Sequence, residues 1–538
     1  MQNQQKRGDA VKGSSVIWRE RIITGLILFT IFMVGGWYIR FHRGYLPGDA
    51  ISRLVSAWLV SHGTVSTLAS IGFIWPPIPT MLLIPLALIP SLFQNWMAVV
   101  IVSAIAVAFA AVMVGEIAST CGISKWWRRI FVLLFSFNPL VIIFAINGMS
   151  EALLMATLLF ACYWLIRYWQ TRRNTHLIFS AGVFSLLPLI RYEFALISAW
   201  SGIIILVLLW EKRGQMTREK FIQYFEGNLL AYSSLAIYPF FIWMISNWFI
   251  MGNPLYFMSN TRSNANVAEF QLTDYRIITT PLNSLKIIFD GWFWTFPLAS
   301  IASLGLILLG IQKKSRFLVS FGLMPLIVPA LQFFLLINRS NVPLLRYFVM
   351  VIPLGLVAAI VFYSAISNSK KLPKWKKKIT MILIVVVLVV STGLSVKQLN
   401  EYPYQTFDGA TWRAISGQSD VRDKLVVEAY NIGKILVQSI PAGSKVLMDT
   451  FGYGYAVLLG ANTHDIFMDF TDTNYDAALI NPQAYVDYIL VPAPIQNNNF
   501  YSINEYQKSL YMNGAIWAKQ VEILPKTEDG WKLYKIIK

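Results

Sequence analysis

Eleven apolar runs dominate this sequence, near 22–41, 95–118, 129–147, 151–169, 176–190, 194–210, 228–250, 286–310, 317–338, 345–366 and 379–396. Crossing about 30 Å of hydrocarbon takes roughly 20 helical residues. Charged residues make up only 13% of the chain, where a soluble domain carries roughly 25%. The expected fold class is therefore a polytopic α-helical membrane protein with about 11 transmembrane helices. The basic stretch "MQNQQKRGDAVKGSSVIWRER" precedes a first run with no small-residue cleavage site, so that run reads as a retained span rather than a signal peptide.

Charge gives the sides. The first 396 residues hold 33 Lys and Arg against 12 Asp and Glu, and residues 397–538 hold 12 against 15. The basic excess lies in "CGISKWWRR", "QTRRN", "EKRGQMTREK", "QKKSR" and "KKLPKWKKK", which fall after alternate spans. Placing these loops and residues 1–21 in the cytoplasm satisfies the positive-inside rule. Topology thus explains the net charge, and no nucleic-acid partner is implied. The expected location is the plasma membrane, with the C-terminal part outside the cytoplasm. The segment "WPPIPTMLLIPLALIPSLF" (75–93) is apolar, but counting it as a span would invert every later loop. It holds five prolines, which disfavour one continuous helix. It reads as a re-entrant or interfacial part of a long first outer loop, 42–94.

The expected domains are this N-terminus (1–21), a membrane catalytic domain (22–396) with a second large outer loop at 252–285, and a small α/β domain (397–538). In the last, strand-like "SKVLMDT" and "DYILVPA" flank the pattern with helix-like "DKLVVEAYNIGKILVQSI" nearby. "GWKLYKII" reads as an edge or final strand. Cys121 and Cys162 lie in or beside apolar runs, which excludes a disulfide framework, and the four scattered histidines show no metal-ligand spacing.

Ionisable groups beside hydrocarbon are costly, at about 2.5–3.5 kcal/mol for a central Arg or Asp, and are functional candidates. The acids mapped outside are Asp49, Glu151, Glu193, Glu269, Asp274 and Asp290. The bases there are Arg40, Arg43, Arg53, Arg191, Arg262, Arg276, Arg339, Arg346 and Lys286. Positive-inside topology does not explain this preference for arginine, whereas a planar, always charged fork suits phosphate. A lipid-linked sugar phosphate at the outer surface would need such cations, together with a base for the acceptor hydroxyl. Simpler roles compete. Asp49 would serve as a helix N-cap or as the i,i+4 partner of Arg53. Glu151 would cap the fourth span, and Arg191 and Arg346 would snorkel from helix ends.

Several motifs, in order, resemble the GT-C superfamily of polyprenyl-phosphate-sugar-dependent membrane glycosyltransferases, in its protein O-mannosyltransferase and aminoarabinose-transferase branch. "PGDAISR" resembles the acidic motif of the first outer loop, and "WPPIP" the proline pair that opens the juxtamembrane segment. "NPLVIIFAINGMSEALL", "LPLIRYEF", "MGNPLYF" and "LLRYFVMVIPLGL" are similar to later span ends. The resemblance implies Asp49 as general base and Glu151 near the acceptor or donor sugar. Arg191 and Arg346 would lie near the carrier phosphate, and Arg53, Glu193 and Tyr347 join them as substrate-binding candidates. Many members carry Asp-Glu in the first motif, whereas Ala50 follows Asp49 here, so another residue must orient the acceptor. Some relatives use a divalent metal. No ligand cluster is visible, so no cofactor is assigned and a divalent metal stays open. The expected function is an inverting glycosyltransferase moving sugar from a polyprenyl-phosphate carrier to a hydroxyl of a glycan, lipid or protein. The alternative is a transporter or flippase of lipid-linked sugars, embedded like the enzyme among membrane lipids. Internal repeats and midplane acids expected of a transporter are not seen in the sequence.

Overall fold

The computed structural model describes residues 2–45, 47–64, 68–260, 263, 268, 271–273, 275–368, 372–418, 421–494, 501–525 and 530–537. Arg262, Glu269 and Asp274 of the 252–285 loop lie outside the described residues. Among the described residues eight helices are long and apolar enough to span: Arg19–Phe41, Met97–Thr120, Ser150–Thr171, Tyr192–Gln215, Arg218–Met251, Arg316–Ile337, Leu345–Ser367 and Lys374–Glu401. Two further apolar helix pairs are sharply bent, Lys125–Ser136 with Pro139–Ile146 by 64° and Pro281–Phe293 with Pro297–Gln312 by 96°. The eleventh run, 176–190, forms the helix Asn174–Phe184 followed by turns. Eleven helical residues rise only about 17 Å, and Pro188 in "LLPLIR" denies the next turn a donor.

Both breaks start from proline. Pro139 and Pro297 occupy the first turn of the second helix of each pair, where the missing N–H costs nothing and the preceding helix must stop. Backbone groups freed inside hydrocarbon need new partners, and two serines of the Lys374–Glu401 helix supply them. Ser395 Oγ accepts from Asn138 Nδ2 at 3.1 Å and donates to Thr295 O at 3.1 Å, while Ser391 Oγ accepts from Leu298 N at 3.1 Å. Asn138 in turn caps the helix that follows it, accepting from Leu140 N at 3.0 Å. One helix thus ties both breaks. Close backbone approach elsewhere depends on small residues. A Cβ added at Gly355 would lie 2.6 Å from Ala299 Cα, so the Val351–Ser367 and Pro297–Gln312 helices touch almost backbone to backbone.

The chain divides into two compact units, Met1–Tyr38 with Val100–Trp412, and Ile39–Val99 with Arg413–Lys538. The first unit contains the spans from Val100 onward. The second joins the segment around 42–94 to the C-terminal sheet domain. Its helix Gly48–His62 packs on Pro77–Ala87, the apolar helix of the proline-rich segment, and on Gly454–Ala461 from the C-terminal domain. Trp58 stacks between His62 and Phe93, with ring centroids 4.6 and 4.9 Å away, and Trp96 meets the Tyr430 ring edge-on at 5.7 Å.

The domain carries a five-stranded sheet in the order β2-β1-β3-β5-β4, with β1 Val446–Leu447, β2 Phe467–Met468, β3 Tyr488–Val491, β4 Ala518–Val521 and β5 Lys532–Ile536. β1 runs parallel to β2 and β3, while β5 runs antiparallel to β3 and β4. "GWKLYKII" supplies β5, last in sequence but interior to the sheet rather than at its edge. Its burial explains this: the consecutive Leu533 and Tyr534 are both buried, as is Ile536, and a strand covered on both faces needs ladders on both sides to satisfy its backbone.

Candidate functional site

The first unit gathers five of the sequence-selected residues from three separate stretches. Glu151 is the second residue of the Ser150–Thr171 helix, whose N-cap position belongs to Met149. It is 1% exposed and therefore caps nothing at the surface. Instead its carboxylate accepts from Arg191 Nη1 at 2.5 Å and from Ser150 Oγ at 3.5 Å. A carboxylate at a helix N-terminus also gains from the helix dipole.

Arg191 does not snorkel to water. Its side chain is only 11% exposed, and Nε and Nη2 both reach Glu193 Oε1, at 2.7 and 2.5 Å. Burial by itself would make the guanidinium easier to deprotonate. The charges of Glu193 and Glu151 outweigh burial and hold it more firmly protonated than usual. On its other side lies Tyr347, with the ring centroid 5.1 Å from Arg191 Cζ. Arg346 approaches the same ring, with Cζ 5.3 Å from the centroid and Nη2 3.5 Å from the hydroxyl. Both guanidinium groups therefore approach one tyrosine ring, whose negative π-system offsets part of their repulsion. The Phe407 ring lies 5.8 Å from Arg346 Cζ.

Asp408 completes this group and escaped the sequence reading. It is fully buried in the first turn of the Phe407–Ser416 helix. Its Oδ1 accepts from Thr406 N at 2.9 Å, while Oδ2 has no hydrogen-bond partner among the described residues. Burial raises its pKa above the ordinary aspartate value, and Thr406 and the positive charge of Arg346 pull the other way. Only the pattern Thr-x-Asp ahead of a helix marks it in the sequence, a capping signal with no hint of the arginine.

The second unit holds Asp49 and Arg53. Pro47, which has no side-chain acceptor, is the N-cap of the Gly48–His62 helix, and Asp49 sits two residues further on. The capping role is therefore not the position Asp49 occupies. The Tyr455 hydroxyl is pushed well above its usual pKa by burial first, then by Tyr453, Asp49, Tyr501 and Tyr45. Four tyrosines and one carboxylate thus share a neighbourhood built from the 45–49 turn and the C-terminal domain. Asp449 orders that domain's part, accepting from Phe451 N at 2.8 Å and Ser502 N at 2.5 Å. Gly452 takes φ +62°, and a Cβ there would meet the Tyr501 hydroxyl at 2.6 Å, so "FGYGY" needs its glycine to bring the two tyrosine segments together. Arg53, 8% exposed, lies over the Trp75 ring at 4.7 Å and donates from Nη1 to Pro76 O at 3.4 Å. It joins "PGDAISR" to "WPPIP". Among the described residues no three His, Cys, Asp or Glu side chains are grouped as a metal site.

No family model matches the sequence, and no curated protein matches it. Among solved structures, the fold is similar to ArnT from Cupriavidus metallidurans bound to undecaprenyl phosphate, with a TM-score of 0.52 at 11% identity, covering 95% of this chain and 97% of that one. The apo state of the same ArnT gives a TM-score of 0.50 at 12% identity, again over 95% and 97%. The apo oligosaccharyltransferase of Archaeoglobus fulgidus gives 0.43 at 11% identity, over 90% of this chain and 71% of that one. At such identities the likeness shows the fold alone: a multi-pass helical membrane protein with a small sheet domain near its C-terminus, arranged as in that ArnT.

Proposed function

We propose that this protein transfers a sugar from a polyprenyl-phosphate carrier to a hydroxyl acceptor at the outer membrane face, with inversion at the anomeric carbon. The observation that carries the reading is the convergence of Arg191 and Arg346 on one tyrosine, among buried carboxylates of a membrane protein. Buried ionisable groups in such a setting are expensive and mark function by default. The bound undecaprenyl phosphate in the similarly folded ArnT supports a carrier of that chemistry.

In this reading Arg346 is the main contact of the carrier phosphate. Arg191, already committed to Glu151 and Glu193, adds positive potential and fixes Tyr347. Asp49 accepts the proton of the acceptor hydroxyl as the oxygen bonds to the anomeric carbon. The bond from that carbon to the phosphate oxygen breaks, and its electron pair leaves with polyprenyl phosphate. A single displacement inverts the configuration. Glu151 holds Arg191, and through it the geometry on which donor binding depends. The tyrosines beside Asp49 offer hydroxyls and rings to an acceptor, the role left vacant by Ala50.

The test is turnover of a panel of polyprenyl-phosphate sugars by purified protein, wild type beside Asp49→Asn, with the anomeric configuration of the product determined. A positioned base contributes about 10²–10⁴ in rate, so Asp49→Asn should lose that factor while remaining folded. Equal turnover in both would remove Asp49 from the chemistry. Transbilayer movement of the lipid without any sugar transfer would overturn the enzyme reading in favour of a transporter.

A further inference from the structure

A buried carboxyl beside a phosphate-binding arginine is counterproductive for affinity, so its presence asks for another reason. Asp408 needs only Oδ1 to hold its turn, through Thr406 N at 2.9 Å and Thr406 Oγ1 at 3.3 Å. Oδ2 faces the interior with no hydrogen-bond partner among the described residues. An asparagine would make the same turn without a buried charge, which costs several kcal/mol in proteins. The neighbouring Phe407 ring lies 5.8 Å from Arg346 Cζ. The charged and titratable groups whose fields meet around Asp408 are few. Arg346 acts on it directly. Tyr402 lies close enough to feel both Asp408 and Asp290, and its own hydroxyl donates to Pro343 O at 2.7 Å.

Resting on the polyprenyl-phosphate reading above, we infer that Asp408 is a specificity-determining residue that loosens the arginine site's hold on the spent carrier more than its hold on the sugar-linked carrier. The donor is a phosphodiester with one negative charge. The product is a phosphomonoester, whose second ionisation near pH 6 brings it close to two charges at neutral pH. Arg346 attracts both, and the product more strongly, which would hold the spent carrier in place after transfer. Asp408 opposes each unit of ligand charge once. It therefore weakens the product by roughly the square of the factor by which it weakens the donor, and the spent carrier leaves. Burial makes Asp408 easier to protonate than an ordinary aspartate, so this discrimination fades in acid together with the second charge on the phosphate.

The experiment compares binding of undecaprenyl phosphate and of its methyl ester, a fixed monoanion, to the full-length protein in nanodiscs between pH 5.5 and 8.5. It requires neither the sugar nor the acceptor to be known. At pH 8, Asp408→Asn should bind both ligands more tightly, and the factor gained by undecaprenyl phosphate should be about the square of that gained by the methyl ester, since it carries about twice the charge. At pH 5.5 the two gains should converge toward one. Asp408→Ser, which keeps a turn acceptor without the charge, should reproduce the pattern if the asparagine variant folds poorly. Equal gains for both ligands, losses for both, or no change would overturn the inference and leave the carrier reading standing. Failure of the wild type to bind either lipid would overturn the carrier reading itself.

Discussion

Around Arg191, two carboxylates and a second arginine balance one another within a few ångströms, and the nearest is 2.5 Å away. Around Asp49, the neighbours are tyrosines, of which Tyr455 and Tyr501 hold their protons more firmly than usual through burial, and the carboxylate is half-buried at the start of a helix. The first region spends its charged groups on each other and so becomes rigid. The second surrounds its carboxylate with tyrosine hydroxyls rather than with opposite charges. Substitutions should therefore hurt the two regions differently, one through the fold and the other through the chemistry.

The largest expected effect tests that contrast directly. Arg191→Met leaves Glu151, 1% exposed, and Glu193 without their shared cation. Breaking one side of a buried ion pair typically costs about 3–5 kcal/mol. Thermal unfolding of the purified protein should show a large drop, partly recovered in the double variant Arg191→Met with Glu151→Gln, because the two sites couple. Asp49→Asn should move the same unfolding transition by about 1 kcal/mol or less while lowering the proposed transfer by about 10²–10⁴. A stable Arg191→Met protein would mean that the cluster contributes little to the fold.

A second break lies where the sheet domain is tightest. A Cβ at Gly433 would fall on the Val457 carbonyl, because the Val421–Ser439 and Gly454–Ala461 helices cross there, and Gly460 faces Tyr430 in the same way. Gly433→Ala should cost about 1–3 kcal/mol through forced displacement, read as a lower unfolding temperature. Gly393, with open space around its Cα on the Lys374–Glu401 helix, is the matched control. Alanine there should stabilise slightly, since glycine is a poor helix former.

The pH dependence of stability sharpens the comparison further. Burial raises the Asp408 pKa above its ordinary 3.8, so the folded state holds this proton more firmly than the unfolded chain. Stability from this group is complete below pH 3.8 and is lost as pH rises through the raised folded value. Asp408→Asn should flatten the stability profile on that side of pH 4, measured against the wild type in the same buffer series. A steeper decline in the variant would contradict the direction of the shift.

Much of this architecture follows from local chemistry. Apolar run length located eight helices and the approximate positions of two bent helix pairs, because hydrocarbon thickness acts on each run independently. The breaks themselves were hidden: Pro139 and Pro297 lie inside runs whose hydropathy is uniform, and the serines that repair them come from residues 391 and 395. The convergence of Glu151, Arg191, Glu193, Arg346 and Tyr347 was legible as five ionisable or motif-borne residues, though their mutual pairing was not. Asp408 was missed because its partner lies 62 residues earlier and its segment reads as ordinary polar chain. The joining of residues 39–99 to the C-terminal domain depends on contacts about 400 residues apart, such as Thr64 with His464 at 3.5 Å. No periodicity encodes those.

The smallest expected effect bounds the contrast from below. Lys397 and Glu401 form an i,i+4 ion pair at 3.7 Å with both side chains more than 60% exposed. Such a pair has the same partners in kind as Arg191 and Glu151, but water screens it and side-chain entropy opposes it. Lys397→Gln should shift stability by roughly 0.5 kcal/mol or less, and 1 M salt should erase the difference because the Debye length falls to about 3 Å. The Arg191 variants should keep most of their defect in the same salt, since their carboxylates are buried. If salt rescued both equally, the Arg191 cluster would be behaving as solvent-exposed charge, and burial would no longer explain why the membrane unit keeps it.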